Sequence, residues 1–388
     1  MSLPAGKQER FHFLDGLRGI AASMIVFHHA FTANIVRLID HFHIPFLGYF
    51  FQYFTQSGVD LFFVLSGVVL LRPYLRKQRK FKVGDYFVRR IKRIYPPYFF
   101  AALFAAFVVW FNNYYPTWYN LKGMRARFSW WETFKELFII NFDGKYYNLA
   151  WWSLQIEIIF YMLVPLVLFV FPSGKKISDL KLIIVIACTM IATVYLQLFF
   201  TNHLPDVYSL SYNTAIAGRF IEYPLCFLLG VFLAATDFNL KHAFAFIVSG
   251  LVLIACSWYY VPFMYGHYTP LMHPGYALVY AGVITIAFNL RSFREFLSTP
   301  FMIWLGERSY SLFLIHFSVF YFIDNIVSHF TTDRDAFYAI LTRAIGIPLA
   351  LLAAMLLFNF VEKRQARGLV TGDIFWPWHV GKASSPVA

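Results

Sequence analysis

Long apolar runs, separated by short polar segments, dominate the chain from about residue 15 to residue 361. A helix that spans a bilayer needs roughly 20 consecutive apolar residues, and these runs have about that length. A membrane barrel would instead show alternating segments of about 10 residues. The pattern predicts ten helical spans: 15–36, 46–71, 94–112, 149–171, 181–200, 217–236, 242–260, 274–290, 302–323 and 338–361.

The composition of the chain supports an all-α, polytopic membrane protein with about ten transmembrane helices. Of its 388 residues, 59% are hydrophobic and only 14% are charged, whereas an average soluble domain has about 25% charged residues. These values exclude a soluble globular enzyme, a disordered chain and a disulfide scaffold. We expect one membrane domain over residues 1–370 and a short peripheral tail over 371–388.

The basic residues predict how the chain lies in the membrane. The formal net charge is +13, and lysines and arginines of membrane proteins collect on the cytoplasmic side. With a cytoplasmic N-terminus, 22 of the 33 lysines and arginines fall in cytoplasmic segments and eight in outer ones. We therefore expect both termini in the cytoplasm and no nucleic-acid partner.

The first span carries charged and titratable residues within an apolar helix, LDGLRGIAASMIVFHHA at 14–30. Arg18 and His29 are 11 residues apart, which is three helical turns plus about 20°, so they share one face about 16 Å apart. His28 points to another face. Charged groups are costly in a bilayer, and Arg18 and His29 are therefore functional candidates. The alternative is a structural arginine and a histidine that only packs.

The fourth span, WWSLQIEIIFYMLVP at 151–165, carries a polar stripe. Ser153, Glu157 and Tyr161 recur every four residues and so lie on one helix face. In the predicted topology Glu157 and His29 lie at similar depths, which makes the carboxylate a candidate to orient the imidazole. A salt pair that only packs two helices is the alternative.

Two further motifs supply candidate binding residues. Ser66, in GVDLFFVLSGVVLL at 58–71, falls near the depth of Arg18, although a Ser-Gly pair is also typical of close helix packing. His316, in GERSYSLFLIH at 306–316, lies at mid-membrane in the predicted ninth span. A single histidine there serves either packing or chemistry.

A basic cluster precedes the third span in RRIKRIYPPYF at 89–99. Arg89, Arg90 and Arg93 recur at helical spacing, which suits a phosphate-bearing ligand that arrives from the cytoplasm. Anchoring by the positive-inside rule explains the same charge without a ligand. Pro96 and Pro97 are predicted to open or kink the third helix.

Together these motifs resemble the acyltransferase-3 family of membrane acyltransferases. The matching segments run in order over about residues 12–365: LDGLRGIAA…HH, GVDLFFVLSG, RRIKRIYPPYF, WWSLQIEIIFY and GERSYSLFLIH. The family's Arg-x10-His signature matches Arg18 and His29, not His28. The sequence has no Walker A, G-x-G-x-x-G, H-E-x-x-H or G-x-S-x-G motif.

The resemblance implies transfer of an acyl group, usually acetyl from acetyl-CoA, to a hydroxyl of an envelope polysaccharide or another glycosylated molecule. It also implies location in a bacterial-type inner or plasma membrane. Some relatives carry a fused extracytoplasmic domain, and we expect this chain to be the form without it. Lipopolysaccharide, exopolysaccharide, peptidoglycan and small glycosylated natural products remain open as acceptors.

The leading hypothesis is a membrane O-acyltransferase with His29 and Glu157 as catalytic residues. His29 acts as general base or carries the acyl group, and Glu157 orients it. The residues assigned to bind donor or acceptor are Asp15, Arg18, Ser66, Arg89, Arg90, Arg93, Ser153, Tyr161 and His316. We expect acyl-CoA as donor substrate, and neither a metal ion nor a bound cofactor. A transporter or flippase and a non-catalytic membrane scaffold remain as alternatives.

Overall fold

The computed structural model describes residues 11–76, 80–116, 127–140, 146–171, 178–203, 220–260, 271–330 and 336–364. All regular secondary structure in these ranges is helical, which confirms the all-α prediction. The predicted tail, 371–388, lies outside the described residues. The helices are α1 His12–Phe27, α2 Ala33–His41, α3 Pro45–Gln56, α4 Gly58–Leu75, α5 Val83–Tyr114, α6 Trp130–Leu137, α7 Trp152–Val170, α8 Asp179–His203, α9 Pro224–Ala235, α10 Leu240–Tyr260, α11 Met272–Asn289, α12 Arg291–Leu297, α13 Pro300–Ser328 and α14 Ala336–Leu357.

Irregular turns extend three of these helices. A π-helical turn, His28–Thr32, continues α1 into α2, and another, Phe358–Glu362, continues α14. A 3-10 turn, Leu149–Trp151, precedes α7. Because π turns are wider than α turns and occur often at functional sites, their positions matter for the side chains that they carry.

Six helical segments in the described residues are long and apolar enough to cross a membrane. They are Phe50–Leu75, Val83–Tyr114, Leu149–Val170, Leu240–Ser257, Pro300–Ser328 and Leu341–Glu362. A seventh candidate is α11 together with α12, which are bent by 104° at their junction. The other predicted spans coincide with α1, α8 and α9, whose described residues fall short of the same length or hydropathy. The protein is therefore an integral, polytopic helical membrane protein.

The third predicted span differs most from the structure. Helix α5 begins at Val83, well before the predicted start at residue 94, and it runs through Pro96 and Pro97. The prediction that these prolines open the helix is therefore wrong. Proline removes a backbone donor, but its fixed φ is itself compatible with a helix. The consequence is that the preceding arginines lie on a helix, where their relative directions are set.

Glycines bring the central helices into close contact. A Cβ on Gly306 of α13 would overlap the backbone of Asp15 in α1, and one on Gly67 of α4 would lie 2.8 Å from the Cα of Gly230 in α9. Small residues allow such approach in a bilayer, where packing rather than apolar burial holds helices together. The packing role expected of the Ser66-Gly67 pair is confirmed for Gly67. These contacts place α13 against α1 and α9 against α4, and Gly58 of α4 approaches the backbone of Ala21 in α1 in the same way.

Candidate functional site

A cavity lies between α1, α4, α5, α7 and α13 and contains about 830 Å³ of empty space, including its open mouth. Its polar lining consists of Arg18, Ser66, Arg90, Arg93, Ser153, Glu157, Tyr161 and Tyr310. Its apolar lining consists of Ile25, Val59, Phe62, Phe63, Leu65, Val69, Leu70, Ile94 and Phe313. A cavity with a few polar groups and a mostly apolar wall is typical of a small-molecule site.

Three arginines form one end of this cavity. The guanidinium of Arg90 lies 5.6 Å from the ring centre of Tyr86 and 5.8 Å from that of Tyr161. Its Nε is buried and has no hydrogen-bond partner in the described part of the chain. Arg18 and Arg93 are close enough to repel each other electrostatically. Like charges held together around an unused donor indicate a site for an anion.

Carboxylates partly balance this positive charge. Glu157 accepts a hydrogen bond from the hydroxyl of Tyr161, one turn further along α7, and one from Ser66 Oγ at 3.3 Å. Glu157 and Glu362 both attract Arg18. The polar stripe predicted on the fourth span therefore faces the cavity, and its carboxylate lies at the arginine end.

The second polar feature is a pair of histidines. His29 Nδ1 lies 2.9 Å from His316 Nε2, and His316 Nδ1 lies 3.0 Å from the carbonyl oxygen of Leu312. The ring of Phe317 contacts His29 edge-on, with ring centres 5.3 Å apart. The expected partner of His29 was Glu157, but the structure pairs His29 with His316 instead. Similar depth does not imply contact, because α13 packs against α1 whereas α7 packs against α4.

His28 faces a different environment from His29, as its position on the helix predicts. Its Nδ1 lies 2.9 Å from the hydroxyl of Thr55, which donates its own proton to the carbonyl of Phe51 at 2.8 Å. The hydroxyl must then accept the proton of His28 Nδ1, because it has no second proton to give. His28 therefore joins the π turn to α3.

The histidine pair lies just beyond the apolar wall of the cavity. Ile25 and Phe313 line that wall, and His29 and His316 follow them by one helical turn on α1 and α13. One turn corresponds to about 5.4 Å along a helix. The three arginines therefore line the cavity, whereas His29 and His316 lie outside its lining, one turn beyond the wall that Ile25 and Phe313 form.

Three predicted binding residues lie outside the cavity lining: His316, described above, Arg89 and Asp15. Arg89 lies one helical turn before Arg93 on α5, and its Nη2 donates to the hydroxyl of Tyr74 at 3.2 Å. Asp15 does not line the cavity but attracts Arg18 electrostatically. Asp15 is thus linked to the site through Arg18.

Sequence reasoning missed two residues at the arginine end. Tyr310 lines the cavity and donates to the backbone carbonyl of Ile94 at 3.1 Å. Glu362 accepts a hydrogen bond from Ser311 Oγ at 2.7 Å. Tyr310 lies inside the motif GERSYSLFLIH at 306–316, and Glu362 is a carboxylate at the end of an apolar span. Both signals were present in the sequence.

A separate buried polar cluster lies on the other side of α4. His273 Nδ1 is 2.9 Å from a carboxylate oxygen of Asp60, and His273 Nε2 is 3.8 Å from Glu222. Asp60 is completely buried, and loss of one partner of such a pair leaves an uncompensated charge. In the described residues, no group of three His, Cys, Asp or Glu side chains is arranged to hold a metal ion.

Comparison with known proteins identifies the family. Residues 11–359 match the family described as "Acyltransferase domain". The chain is 26% identical to O-acetyltransferase OatA of Staphylococcus aureus over 367 residues, which cover 90% of this chain and 56% of that protein. It is 25% identical to peptidoglycan O-acetyltransferase OatA of Listeria monocytogenes over 368 residues, 90% of this chain and 54% of that protein.

The chain thus spans about half the length of these curated relatives. No solved structure matches it. The family match nevertheless extends from the start of α1 to the end of α14 and contains every residue that lines the cavity. The resemblance to the acyltransferase-3 family is confirmed, and the chain belongs to the acyltransferase family whose domain the match defines.

Proposed function

We propose that the protein is a membrane O-acyltransferase that moves an acyl group, normally acetyl, from acyl-CoA to a hydroxyl of a cell-envelope glycan. The observation that carries this proposal is a cavity with three arginines at one end and a histidine pair one helical turn beyond its apolar wall, which we call the histidine end. The names of the two relatives support acetyl as the group and peptidoglycan as the first acceptor to test.

The arginine end suits the anionic part of the donor. The phosphates of coenzyme A match the planar, multiply donating guanidinium groups of Arg18, Arg90 and Arg93. The apolar wall that follows suits the uncharged pantetheine arm. A donor held in this way directs its thioester toward His29, past Ile25.

The histidine end suits the chemical step. His29 Nε2 removes the proton of the acceptor hydroxyl, and the hydroxyl oxygen attacks the thioester carbonyl. The carbon–sulfur bond then breaks, and the protonated imidazole returns its proton to the thiolate. The products are an ester and free coenzyme A. A positioned general base typically contributes 10²–10⁴-fold to such a reaction.

Glu157 has a different role from the one its depth suggested. Its carboxylate is held by Tyr161 and Ser66 and attracts Arg18. We therefore assign it to the donor end, where it sets the position of Arg18 and prevents the arginines from repelling one another. Asp15 supports Arg18 in the same way from within α1.

Vesicles with the purified full chain test both the reaction and its orientation. Labelled acetyl-CoA should form an alkali-labile ester on a glycan only when the donor is supplied on the side of the chain termini, in agreement with the distribution of lysines and arginines. An impermeant maleimide on K80C, in a chain whose exposed Cys188 and Cys256 are replaced by serine, reports the side that faces outward. Lys80, which precedes α5, belongs to the termini side in this topology.

Two outcomes would contradict this proposal in different ways. Movement of unmodified glycan without ester formation would identify a transporter. Ester formation with the donor on the side opposite to K80C would leave the reaction in place but overturn donor binding at the arginine end, because Lys80 precedes the end of α5 that carries Arg90 and Arg93.

Arg90→Gln and Arg93→Gln should each raise the KM for the acyl donor and leave kcat little changed. A hydrogen bond to a charged group contributes about 1.5–3 kcal/mol, so each loss should raise KM by roughly 10- to 100-fold. Arg89→Gln is the matched control, because Arg89 lies on the same helix but bonds to Tyr74 outside the cavity. If the double variant keeps the wild-type donor KM, these arginines serve only to anchor the helix.

A further inference from the structure

We infer that His316 is a positioning residue that holds His29 in the tautomer whose Nε2 carries the free lone pair. This inference rests on the proposed function, because it explains how His29 is prepared to act as the base. It assigns to an imidazole the part that a carboxylate plays in a Ser-His-Asp triad.

The hydrogen bonds leave one arrangement of protons for a neutral pair. The carbonyl oxygen of Leu312 can only accept, so His316 Nδ1 must donate to it across 3.0 Å. A neutral imidazole has a single N–H group, and His316 Nε2 is therefore an acceptor. His29 Nδ1 must then donate to it across 2.9 Å. The only unprotonated nitrogen of His29 is Nε2.

The surroundings favour this neutral state. The side chain of His316 is completely buried, and burial of an unpaired charge is costly. In the described part of the chain, no carboxylate lies within ion-pair distance of either ring. The charged groups nearby are Arg343 and Asp324, which pair with each other, and His28 contributes a further imidazole.

Hydrogen bonds of Arg343 hold the segments that carry the two histidine rings in fixed relative positions. Arg343 donates to both carboxylate oxygens of Asp324 at 2.9 and 3.1 Å, and this bidentate pair joins α14 to α13. The same guanidinium donates from Nε to the carbonyl of Ala30 at 3.0 Å. Ala30 belongs to the π turn that carries His29, so one arginine ties that turn to the helix that carries His316.

The arrangement also has a consequence for the charged intermediate. When His29 accepts a proton at Nε2, its Nδ1 proton lies between the two ring nitrogens that are 2.9 Å apart. The positive charge is then shared with the second ring. An apolar side chain at position 316 removes both this sharing and the tautomer preference, and neither effect changes the arginine end of the cavity.

The test compares His316→Phe with His316→Gln. Phenylalanine fills the space but has no acceptor, whereas the glutamine side-chain oxygen can accept the proton of His29 Nδ1. We expect His316→Phe to lower kcat by about 10²-fold or more and to leave the donor KM unchanged. A decrease of this size is within the range for loss of general-base catalysis. His316→Gln should recover at least about tenfold over His316→Phe.

Two controls separate positioning from folding. His329 follows the end of α13, the helix that carries His316. Its Nδ1 bonds to the carbonyl oxygen of Asn325, four residues earlier, at 3.0 Å. His329→Phe therefore removes a similar backbone contact away from His29. In a His29→Ala background, His316→Phe should cause no additional loss, because both residues then act through one group.

The outcomes distinguish this inference from the proposed function. An inactive His29→Ala together with a His316→Phe of wild-type kcat overturns the inference and leaves the proposed function intact. An active His29→Ala overturns the role of His29 itself. Should His316→Phe fail to fold, the nitrogen-15 spectrum of the wild-type protein minus that of His29→Ala decides instead. Protonated Nδ1 and unprotonated Nε2 support the inference, and the reverse assignment overturns it.

Discussion

Replacement of His29 by alanine should abolish ester formation by protein that still inserts into the membrane, whereas His28→Ala should retain substantial activity. The two histidines are adjacent in sequence but have separate partners, His316 for the first and Thr55 for the second. Loss of a general base typically costs 10²–10⁴-fold, and loss of a covalent acyl carrier would cost more. Loss of the His28 hydrogen bond costs about 1 kcal/mol of stability.

The measurement for this prediction is the acyl-ester content of the acceptor, normalised to membrane-inserted protein. His28→Ala is the internal control, because it makes the same change one residue away within the same π turn. Near wild-type ester content in His29→Ala would remove His29 from the mechanism. It would also strengthen the transporter alternative, because the path would then lack its proposed base.

Arg18→Ala should reduce donor use more severely than any single change at the neighbouring arginines, and Arg18→Lys should not restore it. Arg18 lines the cavity on the helix that also carries His29, and Arg93, Asp15, Glu362 and Glu157 surround it electrostatically. Lysine keeps the charge but loses the planar set of five donors. With two charged hydrogen bonds lost, at about 1.5–3 kcal/mol each, kcat/KM for the donor should fall by more than about 100-fold.

A matched substitution tests whether this effect belongs to the cavity. Arg308 is also half-buried, lies against Trp304 and Phe358, and donates to a backbone carbonyl of its own helix. It does not line the cavity, and Arg308→Lys should keep wild-type donor kinetics. Full activity of Arg18→Lys would instead show that Arg18 supplies only a point charge. A fall in kcat at constant KM would place Arg18 in the transition state rather than in donor binding.

Helical periodicity accounts for what could be predicted of the candidate site. The period of 3.6 residues predicts that Ser153, Glu157 and Tyr161 share one face of α7, and all three line the cavity. It also predicts one face for Arg18 and His29, of which Arg18 lines the cavity and His29 lies beyond its wall. Such relations are local, because they depend only on the backbone of a single helix. The apolar composition likewise determined the helical class, since a bilayer leaves backbone groups no other partner.

Contacts between helices were beyond the reach of the same reasoning. The predicted depth of a residue gives its position along the membrane normal but does not identify its neighbours within the membrane plane. Depth alone therefore pairs His29 with Glu157, whereas in the structure α1 packs against α13, which carries His316. The spacing of the three arginines at 89–93 does not distinguish them, but in the structure Arg89 bonds to Tyr74 whereas Arg90 and Arg93 line the cavity.

Composition, motifs and helical period are thus enough to establish the membrane class, the family and the helix face on which each polar residue lies. Which of these faces meet is set by the packing of one helix against another. That choice depends on where backbones can approach closely, as at Gly306 against Asp15 and at Gly67 against Gly230. Such contacts join residues that are far apart in the chain, and no local pattern of hydrophobic and polar positions encodes them.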